Sequence, residues 1–146
     1  MKPMVSIIAW EQTETIELAQ DVLNEFNIAN ESLLLNETPV LIEKLHFHAS
    51  TAQQRGIEVV IVCGFKALQH LSPFHFFKSI PIIYVPTGDA LDNEINFLQI
   101  SLEKKWQCFL ETESNDAHVA GLWAAELLAS KHWCIYNSLN RKRQVS

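Results

Sequence analysis

The side chains that could do chemistry are few, and they sit beside short apolar runs. His70 carries an imidazole, which titrates near neutral pH and can shuttle a proton. It occurs in Phe65-Lys66-Ala67-Leu68-Gln69-His70-Leu71, and its simpler reading is a helix-terminal histidine satisfied by a backbone carbonyl. Lys66 can bind an anion. Glu11 and Glu37 each follow an apolar run, and they flank one opening if those runs are neighbouring strands. Paired carboxylates in such a place can do acid and base work, although a solvated acidic rim is the simpler account. Trp10 precedes Glu11, and its indole can either stack a ring or fill a vacated pocket. His46 and His48 form an H-x-H pair, but residues two apart diverge on a helix and make a poor metal pair. His75 and His118 have no carboxylate or cysteine at ligand spacing and read as structural. No metal and no cofactor is expected.

Cys63, Cys108 and Cys134 form no CxxC pair, so neither a zinc site nor a dithiol redox motif is supported. Cys63 and Cys108 fall in apolar strand patterns and read as small buried hydrophobes of a reducing compartment.

These residues are positioned by an alternation of strand and helix patterns. Val5 to Trp10 and Ser32 to Leu35 read as the first two strands, with Ile16, Ala19, Leu23 and Phe26 at helical spacing between them. Thr38-Pro39 then opens a helix bearing Leu41, Leu45, Ala49 and Ala52, with Gly56 as its C′ residue. Val59 to Cys63 is the clearest buried strand, and a shorter helix follows over about Ala67 to Phe77. Pro81 to Val85 is the fourth strand; Asp89 caps a helix with Leu91, Ile95, Leu98 and Leu102 on one face. Gln107 to Leu110 is a short fifth strand, and Asp116 caps a last helix with Ala120, Trp123, Ala124 and Leu127. Strict alternation of this kind implies an α/β domain of three layers, αβα, around a five-stranded parallel sheet. One domain spans residues 1–130, and the tail of 131–146 is the least regular part. Its Trp133, Ile135 and Tyr136 are expected to pack on something, a neighbouring subunit being one candidate.

With a net charge of −6 the chain lacks the basic stripe of a nucleic-acid partner, and Arg141-Lys142-Arg143 reads as a solvated tail. The apolar runs are too short to span a bilayer. The N-terminus shows no secretory signal pattern, so a cytoplasmic location is expected.

An open parallel sheet binds ligands at the carboxyl ends of its strands. The loops there contain several carboxylates, one lysine and no arginine. Phosphate sites need close backbone amides and gain from positive charge. The chain has four glycines, none paired into a phosphate-cradling loop. A phosphorylated ligand would therefore meet net repulsion unless another subunit supplied cations.

From Val5 to Ala129 the chain resembles the PurE family, the N5-carboxyaminoimidazole ribonucleotide mutases, also called the catalytic subunit of phosphoribosylaminoimidazole carboxylase. The resemblance rests on Gly56-Ile57-Glu58-Val59-Val60-Ile61-Val62-Cys63-Gly64, His70-Leu71-Ser72-Pro73, Pro81-Ile82-Ile83-Tyr84-Val85-Pro86, Leu91-Asp92 with Gln99, and the run from Asp116 to Ala129. It implies a flavodoxin-like, Rossmann-like sheet, no cofactor, and a homo-octamer with active sites near subunit contacts. The family's functional loops are poorly kept. Where its first loop reads Gly-Ser-x-Ser-Asp, this chain has Trp10-Glu11-Gln12-Thr13-Glu14; where the second reads Ser-Ala-His-Arg-Thr-Pro, it has Asn36-Glu37-Thr38-Pro39. Of the glycine-rich third loop it keeps Ala67, His70 and Leu71. By loop position the resemblance makes His70 the catalytic candidate and Trp10, Glu11, Thr13, Glu37, Thr38, Lys66, Ala67 and Leu71 the substrate-side candidates. The shuttle histidine and clamp arginine of the second loop have no counterpart. The expectation is a non-catalytic oligomeric or small-molecule-binding paralogue; the alternative is an active mutase or carboxylase of purine biosynthesis.

Overall fold

A computed structural model describes residues 2–11, 13–37, 41–71, 80–87 and 109–145. Its strands are β1 (Met4–Ala9), β2 (Ala29–Leu34), β3 (Ile57–Cys63), β4 (Ile82–Val85) and β5 (Phe109–Glu111). They form one five-stranded, all-parallel sheet in the order β2-β1-β3-β4-β5. The described helices are α1 (Thr13–Glu25), α2 (Leu41–Thr51), α3 (Phe65–Leu71), α4 (Ala117–Ala129) and α5 (Trp133–Val145). A 3-10 turn, Leu35–Glu37, follows β2. The expected helix after Asp89 and the residues from Ser72 to Ser79 lie outside the described part.

Parallel strands need cover on both faces because each crossover lays a helix against the sheet. Val5, Ile7 and Ala9 of β1 join Val59, Ile61 and Cys63 of β3 and Ile83 and Val85 of β4 on one face. They pack against Ile16, Ala19 and Leu23 of α1 and Ala120, Ala124 and Leu128 of α4. The alternate residues Ile8, Val60, Val62, Ile82 and Tyr84 meet Leu45 and Ala49 of α2 and Leu68 and Leu71 of α3 on the other. β1 and β3 are thus buried on both sides, and they read in the sequence as continuous apolar runs. β2 is an edge strand and only partly buried. It therefore tolerates Asn30 and Glu31, which is why the apolar pattern marks its beginning only at Ser32.

The helix ends follow local chemistry. Asn27, at φ 57°, closes α1 in a left-handed conformation, with Ile28 N donating to Leu23 O at 2.9 Å and Asn27 N to Asn24 O at 3.0 Å. This is the Schellman pattern. Gly56, at φ 86°, repeats it beyond α2: Ile57 N donates to Ala52 O and Gly56 N to Gln53 O. Asp116 caps α4, its Oδ1 accepting from Val119 N at 3.1 Å.

The stretch after Lys131, irregular by pattern, is a helix. Ile135 and Leu139, one turn apart, enter the core beside α1 and α4. Trp133 (71% exposed) and Tyr136 face outward and stack on each other at 5.4 Å. Two aromatic residues on the solvent side hide the apolar stripe from a periodicity reading. His132 Nε2 lies 2.8 Å from Glu58 Oε2, tying the start of α5 to β3.

A polar network crosses from β1 and β2 to α2. The guanidinium of Arg55 reaches Glu31 through one nitrogen, Nη1, which lies 2.6 and 2.7 Å from the two carboxylate oxygens. Its Nη2 donates to His48 Nδ1 at 3.1 Å. A guanidinium only donates, so His48 carries its proton on Nε2 and donates it to the buried Ser6 Oγ at 2.9 Å. His48, one half of the H-x-H pair, thus points inward while His46 is exposed. Burial pushes the His48 pKa down, Arg55 adds to that, and Glu31 opposes it.

Two stability experiments follow from this packing. A Cβ at Gly121 would lie 2.9 Å from Val22 Cβ and 3.2 Å from Ala19 O. Gly121→Ala is therefore expected to destabilise by about 1–3 kcal/mol, read by urea unfolding, even though alanine is the better helix former. An unfolded histidine titrates near about 6.5, and folded His48 titrates lower. Below that pH the unfolded chain binds more protons, so stability falls with acidification. His48→Gln is expected to flatten that fall by up to about 1 kcal/mol per pH unit, measured from unfolding midpoints at several pH values.

Candidate functional site

The strand order places the ligand-binding crevice of a doubly wound sheet between β1 and β3, at the carboxyl ends where connections leave for opposite faces. Trp10 follows β1 directly, and Gly64 leads from β3 into α3. Gly64 takes φ 90°, a left-handed turn suited to glycine, and its N–H donates to Val85 O at 2.8 Å. That turn starts α3 at the crevice and brings Lys66 and His70 to it on consecutive turns of one helix face.

Three of the residues singled out by sequence meet there. The Trp10 indole stacks on the His70 imidazole, with ring centroids 4.8 Å apart and planes 28° off parallel. Lys66 Nζ lies 4.2 Å from the centroid of the same indole. This is a cation–π contact. His70 Nδ1 donates to Lys66 O at 2.8 Å, which settles the neutral ring's tautomer and leaves Nε2 as its basic nitrogen. The imidazole is thus satisfied by a backbone carbonyl, and its flat side is against an indole. Trp10 and Phe65 are partly buried and pack on the core cluster beneath α2 and α3.

The other candidates are placed less intimately. β1 and β2 are neighbours, and Asn36 N donates to Trp10 O at 3.0 Å, so the exits holding Glu11 and Glu37 are tied together. Glu11 is exposed, and Glu37 ends the 3-10 turn. Thr13 is the first residue of α1, while Thr38 lies outside the described residues. Ala67 and Leu71 have no solvent exposure. Their side chains belong to the core behind α3, because a helix lying on a sheet turns every third or fourth residue into it.

Sequence reasoning passed over Tyr84 and Glu111, which are Cα partners on β4 and β5. Burial raises the pKa of Tyr84, with Glu111 and Cys63 adding to the rise, and burial also raises that of Glu111. The Tyr84 phenol and the Cys63 thiol are held in their neutral forms; burial pushes the thiol to about 12, so it is no nucleophile. Only the pairing of β4 with β5 reveals the Tyr84–Glu111 proximity. Among the described residues of this edge, Lys66 is the one cation, against Glu11, Glu37, Glu111 and Glu113. No group of three or more His, Cys, Asp or Glu among the described residues is arranged to hold a metal ion.

The fold and its edge thus define a doubly wound α/β protein in which Trp10, Lys66 and His70 meet at the switch point. No family model matches the chain. It is similar to the N5-carboxyaminoimidazole ribonucleotide mutase of Bacillus subtilis (strain 168), 29% identical over 99% of this chain and 91% of the relative. It is also similar to the mutase of Pyrococcus abyssi, 29% identical over 97% of this chain and 83% of the relative. These matches over nearly the whole chain, with the parallel five-stranded sheet, support a diverged member of the PurE family. No helix among the described residues is long and apolar enough to cross a membrane.

The ring stack gives a measurable coupling. In a double-mutant cycle of Trp10→Ala and His70→Ala, followed by urea unfolding, an interaction of about 0.5–1.5 kcal/mol is expected. Strictly additive losses would mean that the two rings do not rest on each other.

Proposed function

We propose that this chain is a PurE-like protein that no longer turns over carboxyaminoimidazole ribonucleotides and serves as a non-catalytic, ligand-binding or oligomeric paralogue. The observation that carries the reading is the engagement of Lys66 and His70 with Trp10. The one mouth cation among the described residues and the one catalytic-looking histidine both lie against a side chain standing at the switch point. Moving a carboxyl group between positions on a ribonucleotide needs a proton shuttle at the ring and a clamp on the phosphate. Here an indole stands at the crevice against Lys66 and His70, and the surrounding carboxylates oppose a phosphate. Assembly as a homo-oligomer, an octamer by resemblance, and a cytoplasmic location belong to the same proposal. The free thiols of Cys63 and Cys134 fit a reducing compartment.

An active mutase is the second reading. It is favoured by the similarity to two curated mutases over 91% and 83% of their lengths, and by the basic Nε2 that the Lys66 carbonyl leaves on His70.

The two readings part in one assay. Purified protein mixed with N5-carboxyaminoimidazole ribonucleotide is expected to give no interconversion above the uncatalysed rate. Turnover comparable to that of a working mutase, lost in His70→Ala, would establish the second reading instead. Light scattering on the same sample reads the oligomer.

A further inference from the structure

Away from the crevice, the network joining β1, β2 and α2 sets two partners beside one ring nitrogen. We propose that His48, Arg55 and Glu31 form a proton-operated joint between the edge strand β2 and the end of α2. When His48 Nδ1 takes a proton, the imidazolium gives up Arg55 and pairs with Glu31, while its Nε2 stays on Ser6.

In the neutral ring Nδ1 accepts from Arg55 Nη2 at 3.1 Å, and Glu31 Oε1 stands 3.6 Å from the same nitrogen. A lone pair there suits a guanidinium and repels a carboxylate. A proton on Nδ1 reverses both preferences, because the nitrogen becomes a donor. Nη2 then faces another donor, whereas Glu31 needs only to close from 3.6 Å to the charge-assisted distance of about 2.8 Å. Nε2 donates to Ser6 Oγ in either form, so the ring stays anchored to β1 while Nδ1 changes partner. Arg55 keeps its contacts with His48 O and Thr51 Oγ1. It loses the imidazole and must share its carboxylate, so it is the member that loosens. The His48 side chain keeps 12% of its surface in solvent, and a proton reaches it without unfolding.

The charges around the ring set where the exchange occurs. Burial opposes protonation most, Arg55 opposes it too, and Glu31 from β2 favours it. β1 contributes the uncharged Ser6. On α2, Lys44 lies one turn earlier and is exposed, and Glu58 of β3 is engaged by His132. The exchange therefore falls on the acid side of the ordinary histidine value near about 6.5. Arg55 sits in the turn from α2 to β3, and Glu31 lies on the sheet's edge strand. Acid thus remakes the hold of α2 on that edge while the two core clusters stay packed.

The test is NMR of the full-length protein with uniform nitrogen-15 label, from about pH 7.5 to about pH 4.5, just above the ordinary glutamate value of about 4.3. His48 Nδ1 is expected to start as an unprotonated acceptor and gain its proton on acidification, with Nε2 protonated throughout. One proton shifts an opening equilibrium by up to about tenfold per pH unit. The Arg55 Nε–H signal is therefore expected to lose about tenfold of its protection against solvent exchange with the same midpoint. Backbone amides of α4 should keep theirs. Arg55→Gln should move the His48 midpoint up, and Glu31→Gln should move it down. In His48→Gln the protection of Arg55 Nε–H should no longer depend on pH. The proposal is overturned if His48 Nδ1 carries the proton at the start, or if His48 titrates while Arg55 keeps its protection. It is equally overturned if α4 loses protection together with Arg55, which is global unfolding, or if the Arg55 response persists in His48→Gln.

Discussion

Burial of β1 and β3 on both faces is the constraint from which the rest of the structure follows. Neither strand has a side chain row that can face water, so helices must cover each side. A chain that covers both sides must reverse its winding once, and the reversal lies between these two strands. The carboxyl ends of β1 and β3 therefore splay their following loops apart and open a crevice. What fills that crevice is then a question about a handful of loop residues.

Here an indole, an imidazole and an ammonium meet at that crevice. Trp10 leaves β1 at the crevice, and Gly64 lets α3 begin close enough for Lys66 and His70 to lie against the indole. The contact uses groups that in an open site would face a ligand. The hydrogen bond from His70 to the Lys66 carbonyl and the tie from Asn36 to the Trp10 carbonyl link these parts. Similarity to mutases over nearly the whole chain is compatible with the proposed loss of turnover, because a sheet depends on apolar strand residues and a reaction depends on the loops beyond them.

The polar network of Ser6, His48, Glu31 and Arg55 lies elsewhere, among β1, β2 and α2. It superficially resembles a serine–histidine–carboxylate relay. Yet Ser6 is fully buried and His48 donates to it, so the hydroxyl is a partner for a structural histidine. The network closes the side of the sheet where the edge strand carries Glu31, and a buried imidazole there is satisfied at both nitrogens.

Much of the fold was legible in the residues alone. The strand-helix alternation, the apolar runs of β1, β3 and β4, the Gly56 cap and the Asp116 cap are local, and local chemistry determined them. The acidic character of the mouth and its lack of arginine were legible for the same reason, since the strand ends name the loops. The start of β2 and the helical tail were not, because an edge strand and a helix with aromatic residues on its outer side break the simple periods. The meeting of Trp10 with Lys66 and His70, of Ser6 with His48, and of Tyr84 with Glu111 was decided only by the tertiary structure. Each joins residues from different elements, and which elements are neighbours depends on strand order and register. Lys66 and His70 alone carried a signal, their four-residue spacing on one helix; the indole they share comes from more than fifty positions away in the chain, and only the packing of β1 beside β3 brings it there.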